Sequence, residues 1–208
     1  MGNRAIIKGK DSDLGIYVHW NGGRDSVEAF LEYASFVSPN SGLGDKHYDS
    51  GLGILMTIIV NFMGSGTSVD VTTARDYQNP DHLDNGIYVV EGWEIVDRIA
   101  PPMYEQDSYD RREMLIAIDE AQSEKLQRGV DYIDSEIVDA SDLVVGDEIV
   151  QNGIGGGVEK FTVLHLGNPD DPEKTMHHPP YSPYIGKYGT DNPNSYVSGA
   201  VRRVKKVA

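Results

Sequence analysis

Apolar and polar positions along the chain repeat with two different periods, and the change of period marks out its elements. Near the start they alternate, so residues 4–10 and 15–20 predict two short strands joined as a hairpin through the turn-forming Asp11-Ser12-Asp13. Apolar positions 27, 30, 31, 34 and 37 then form a helical stripe, which predicts a helix over 26–37. Asp25 or Ser26 is placed to cap it, with Glu28 in the first turn, where the helix dipole favours an anion. Ser38-Pro39-Asn40-Ser41-Gly42 stops it. A second, more apolar helix is predicted over 48–63, and Gly51 and Gly53 weaken it unless another backbone packs closely there. A short strand over 68–73 follows Gly64-Ser65-Gly66.

After the turn Asp84-Asn85-Gly86, residues 87–90 and 93–96 predict strands joined across Glu91-Gly92. A third helix is predicted over 109–128, with Met114, Leu115, Ile118 and Ala121 on one face. Asp107 or Ser108 is its expected cap and Gly129 its expected stop. Beyond Gly129 the period becomes two and glycine is more frequent, with strands predicted over 132–138, 147–152, 159–166 and 195–207. The expected architecture is α+β. Residues 1–128 form a mostly antiparallel sheet packed with about three helices, and residues 129–208 a small β-rich, barrel-like module. A long loop rich in proline and tyrosine, 168–194, interrupts that module.

Composition narrows the function classes. The 208 residues include no cysteine, which excludes disulfides and thiolate metal sites and points to a reducing, cytoplasmic setting. No apolar segment follows the first residues, so no signal peptide is expected, and the apolar run at 54–60 is far too short to span a bilayer. The formal charge is −15; without the basic Arg202, Arg203, Lys205 and Lys206 near the end, −15 minus these four charges leaves −19. Such a surface disfavours direct nucleic acid binding and suits a basic protein partner.

The densest candidate chemistry lies in His19-Trp20-Asn21-Gly22-Gly23-Arg24, at a strand end just before a helix. Free amides at that helix start, with Arg24 beside them, can hold a phosphate or carboxylate. The competing reading is a corner in which the glycines turn at positive φ, Asp25 caps the helix and Trp20 fills the core. Neither GxGxxG nor a P-loop is present, and Gly153 to Gly157 reads as a hairpin turn. His177-His178 and the group Asp81, His82, Asp84 lack metal-ligand spacing, and no catalytic nucleophile–base set is found, so no metal, cofactor or catalytic residue is expected. Glu94 and Asp97, three apart, face opposite sides of a regular strand. Two contact surfaces are nominated instead. One is an acidic helix face of Asp107, Asp110, Glu113, Asp119, Glu120 and Glu124; the other is the loop tyrosines Tyr181, Tyr184 and Tyr188.

The opening MGNRA, the stretch YVHWNGG at 17–23 and DNGIYVVEGWEIV at 84–96 together resemble a family of small bacteriophage and prophage proteins without an assigned function, over roughly residues 1–100. The resemblance implies a phage accessory protein acting in the host cytoplasm. It carries no catalytic residue with it. Joined to the charge, it leads to the expectation of a non-catalytic protein that binds and inhibits a host protein with a basic surface, possible targets including a nucleic-acid-binding defence factor such as a CRISPR effector. The alternatives are a nucleotide sponge or nucleotide-handling enzyme, and a structural component of the virion.

Overall fold

Alternation near the start yields two strands that pair at once: β1 (Ala5–Gly9) runs antiparallel to β2 (Leu14–Val18), with Ile7 opposite Ile16. These come from a computed structural model, which describes residues 3–44, 50–64, 68–73, 83–102, 109–153, 156–166, 183–187, 193–196 and 199–205. The chain divides into two compact units, 1–123 and 124–208.

In the first unit β3 (Val69–Thr73), β4 (Ile87–Glu91) and β5 (Glu94–Ile99) complete a five-stranded sheet in the order β3-β2-β1-β4-β5. Among the described residues of this sheet, only the central β1–β4 pair is parallel. Ile7, Ile16 and Tyr88 oppose one another across neighbouring strands, share a sheet face and are fully buried. Among the described residues, three helices belong to this unit: α1 (Arg24–Val37), α2 (Ser50–Met63) and α3 (Arg111–Glu120). The predicted stripe of α1 holds, with Val27, Phe30, Leu31 and Ala34 buried. Gly51 is tolerated in α2 for the expected reason, because a Cβ there would lie 2.2 Å from the carbonyl oxygen of Gly42. Nothing approaches Gly53.

The third helix is shorter than expected. Continuing its stripe past Ile118 and Ala121 would need apolar residues at 122 and 125, which are Gln and Lys. Gln122 instead turns inward and donates to the carbonyls of Ile118 and Ile58 at 2.9 and 3.2 Å. The cap is Asp110, whose carboxylate accepts from the Glu113 amide at 3.0 Å; Asp107 and Ser108 lie outside the described residues. Gly129, the expected stop, sits at φ 76° as the N-cap of a short helix α4 (Val130–Ile133), so the predicted strand over 132–138 shrinks to β6 (Glu136–Asp139).

The second unit adds β7 (Glu148–Asn152), β8 (Val158–Leu166), β9 (Pro183–Lys187), β10 (Pro193–Tyr196) and β11 (Ala200–Arg203) in one antiparallel sheet, ordered β10-β9-β8-β7-β11-β6. Among the described residues this ladder does not close into a barrel. Leu143, Ile149, Phe161 and Val163 form its core, with Val138 and Val201 against them. Two cations expected in a basic tail are part of this fabric. Arg203 in β11 pairs with Glu136 at 2.6 Å and with the buried Asp147 at 3.5 Å, and Arg202 lies over the Tyr132 ring at 4.6 Å. Among the described residues, no helix is long and apolar enough to cross a membrane.

Candidate functional site

Residues 24, 28, 32 and 35 recur at the spacing of one helix face, so Arg24, Glu28, Glu32 and Ser35 line the polar side of α1 opposite its buried stripe. Arg24 pairs with Glu28 at 2.7 Å. From the first position of α3, Arg111 meets both oxygens of Glu32 at 2.7 and 2.5 Å, a two-pronged guanidinium–carboxylate contact. The tip of the β4–β5 hairpin supplies the facing wall. Gly92 turns there at φ 64° and bridges Leu43 by two backbone hydrogen bonds of 2.7 and 2.9 Å. A Cβ on Gly42 would lie 2.4 Å from the Gly92 Cα, so the two glycines pack backbone on backbone. Next to Gly92, the Trp93 indole N–H donates to the Ser38 carbonyl at 3.0 Å, which fixes the ring. The space enclosed is an open groove of about 710 Å³. Its lining residues include Glu28 and Glu32, each paired with a guanidinium of Arg24 or Arg111, and the tip residues Glu91 to Ile95.

A bulge shapes the outer lip. In the pairing of β4 with β5, Glu91 opposes Glu94 and Val90 opposes Ile95, but Val89 opposes Asp97. One extra residue on β5 therefore brings Glu94 and Asp97 onto the same side of the sheet, the side of Glu91, where a regular strand would separate them. All three are exposed. Glu91 meets Lys10 at 3.1 Å.

The opening stretch is split between two places. Arg24 joins the groove. One amide of the anion cradle expected at the start of α1, that of Ser26, is engaged by the Asp25 carboxylate at 2.7 Å, which also accepts from the Tyr109 amide at 3.0 Å. Asp25 is inside the first turn, and the N-cap is Gly23, without a side-chain cap. Positive φ falls on Asn21 at 55°, while Gly23 is extended at φ −63°. Gly22 is needed for closeness, since a Cβ there would lie 2.5 Å from the Asn3 carbonyl oxygen. Trp20, expected in the core, is 46% exposed and meets the edge of His19 at 4.9 Å between centroids. His19 Nδ1 shares a hydrogen bond with the Tyr17 hydroxyl at 2.9 Å. Burial pushes the Tyr17 hydroxyl above its ordinary pKa, against the pull of Arg4. Arg4 in turn grips Asp84 at 2.9 Å and holds that carboxyl below its ordinary value.

The acidic face nominated on the third helix does not survive as a continuous surface. Asp110 is spent as the cap, and Asp119 is buried, accepting from the Tyr33 hydroxyl at 2.6 Å. Glu113 stays exposed in the first turn of α3 near Arg111 and Arg112, Glu120 stays exposed at its last position, and Glu124 lies past the helix end in the second unit. Asp107, Tyr181 and Tyr188 fall outside the described residues, as do His82 and His177-His178; Tyr184 belongs to β9 by its backbone. Among the described residues, no three metal-ligating side chains gather. What sequence reasoning missed is the groove. The 24, 28, 32 spacing was a legible signal for one wall, but the hairpin tip that faces it carries no local signal of where it will land. Comparison of the chain with protein-family models, curated proteins and solved structures found no match.

Proposed function

We propose that this is a non-catalytic, acidic binding protein that covers a basic surface of a host protein and thereby blocks it. The observation that supports the reading is the β5 bulge, which gathers exposed Glu91, Glu94 and Asp97 on one face of a rigid hairpin. Strands hold charges at fixed spacing, so these carboxylates meet a lysine- and arginine-lined partner with little loss of side-chain order. The overall charge of −15 adds long-range attraction, which speeds encounter at low ionic strength. The phage resemblance of residues 1–100 makes the proposed host bacterial, and the target class it raises is a nucleic-acid-binding defence factor, whose basic channel the carboxylates would occupy in place of phosphates.

The test is capture from a bacterial lysate by the full chain, at low and at physiological salt, beside a variant carrying Glu94→Lys and Asp97→Lys. A basic partner retained at low salt, weakened at physiological salt and lost with the variant is the expected result. Stoichiometric capture insensitive to both changes overturns the electrostatic mechanism. Turnover of a substrate by the purified protein overturns the non-catalytic reading.

A further inference from the structure

A strand points the amides and carbonyls of successive residues to opposite edges, so register shows which of the backbone groups of β6 are used. Ala140 donates to the Gly199 carbonyl at 2.8 Å, in register with the β6–β11 pairing. Val204 donates to the Glu148 carbonyl at 2.9 Å, in register with the β11–β7 pairing. Both bonds turn the backbone groups of Arg202 towards β7 and those of Val201 and Arg203 towards β6. Glu136 and Val138 therefore complete the β6–β11 ladder, while Ile137 and Asp139 turn their amides and carbonyls outward. β6 ends the sheet order, so no further strand meets those groups among the described residues.

The two edges of the first sheet are built differently. On β3 the Val71 amide donates to the Asp70 carboxylate at 2.8 Å, and on β5 the Arg98 amide donates to the Asp97 carboxylate at 2.7 Å. The bulge of β5 is a further bar to pairing. β6 has neither device. The residue before Ile137 is Glu136, whose carboxylate is drawn to Arg203 of β11 at 2.6 Å. No lysine or arginine, a common guard of open edges, occurs between Arg128 and Lys160. On this edge Ile137 stands 66% exposed.

We infer that β6 is a strand-addition site, where an extended basic segment of a partner protein pairs antiparallel with the outward groups of Ile137 and Asp139. Ile137 would meet an apolar side chain, and Asp139, on the same face, a lysine or arginine. The Asp139 carboxylate is exposed, accepts from the amide and hydroxyl of Ser141, and has no ion pair among the described residues. A second copy of this chain suits the edge less. Residues 134–142 carry four carboxylates and no cation, and self-pairing would set them against one another. The inference goes beyond the acidic-binder reading: β6 belongs to the second unit and the hairpin carboxylates to the first, so either can fail alone.

The experiment titrates the full chain with the end-capped peptide Thr-Lys-Thr-Val-Thr-Lys-Thr, whose central valine would lie opposite Ile137. Hydrogen exchange of single backbone amides is followed by NMR. The expected result is saturable binding that slows exchange of the Ile137 amide by at least about tenfold and leaves those of Val71 and Arg98 within about twofold. A peptide N-methylated at the valine loses the N–H aimed at the Ile137 carbonyl, and should bind at least about fivefold more weakly. Replacing both lysines of the peptide with glutamine should weaken binding by about threefold or more. No saturable binding, an unprotected Ile137 amide, or an N-methylated peptide that binds as well as its parent overturns strand addition. A glutamine peptide that binds equally well overturns the basic partner. Slow exchange of the Ile137 amide in the free protein, growing slower as protein concentration rises, would assign the edge to a second copy and overturn the inference.

Discussion

The Tyr33 hydroxyl donates to the Asp119 carboxylate at 2.6 Å, joining α1 to α3 across 86 positions of sequence. Tyr33 is fully buried and Asp119 is 8% exposed, so the bond lies where losing a partner is costly. Tyr33→Phe should lower stability by about 1–3 kcal/mol in urea denaturation. Asp119→Lys should cost more, about 3–5 kcal/mol, because it places a new cation in a buried site. A loss below about 0.5 kcal/mol for Tyr33→Phe would show that the bond is not formed in solution.

Gly51 and Gly53, the second and fourth residues of α2, should respond in opposite directions to the same change. Gly53→Ala has open space around it and should stabilise by about 0.5–1 kcal/mol through helix propensity. Gly51→Ala meets the Gly42 carbonyl oxygen at 2.2 Å, and should destabilise by about 1–3 kcal/mol despite the same propensity gain. Thermal melts of the two variants decide it, and two shifts of the same sign would contradict the backbone contact.

Tyr88 sets an alkaline limit. It is buried under the Arg98 guanidinium at 4.3 Å, with its hydroxyl donating to the Gly22 carbonyl at 3.1 Å. Burial pushes its pKa up to about 12, with Arg98 pulling the other way. In the unfolded chain it ionises near 10. Neutral Tyr88 therefore contributes its full stability below about pH 10, and loses it as pH rises towards about 12. Urea midpoints measured across that window should fall less steeply for Tyr88→Phe than for the parent protein.

At the acid end the corresponding group is Asp84. Its hydrogen bonds with Arg4 hold the folded carboxyl below its ordinary value. The stability it contributes is present above the unfolded value near 4 and is lost as pH falls through the lower, folded one. Both partners are about one-third exposed, so the effect is small. Asp84→Asn should flatten the acid limb of the stability profile below about pH 4, and an unchanged limb would mean that the pair is screened out.

Much of the fold is local and so was readable in order along the chain. Period-two and helical stripes placed α1, α2 and the β4–β5 hairpin, because each buries one side of an element whose geometry its own residues dictate. Charge and the lack of cysteine are likewise properties of composition. What depends on distant partners could not be read that way. The end of α3 was decided by Gln122 finding the carbonyl of Ile58, and the burial of Asp119 by Tyr33 on another helix. The shared face of Glu94 and Asp97 came from a single unpaired residue in β5, which reverses the parity that any regular strand predicts. The groove itself exists because Gly42 and Gly92 lack side chains at one crossing, letting a hairpin tip settle opposite the polar side of α1. Sequence patterns report which side of an element seeks the core; only the folded chain decides which polar sides come to face each other.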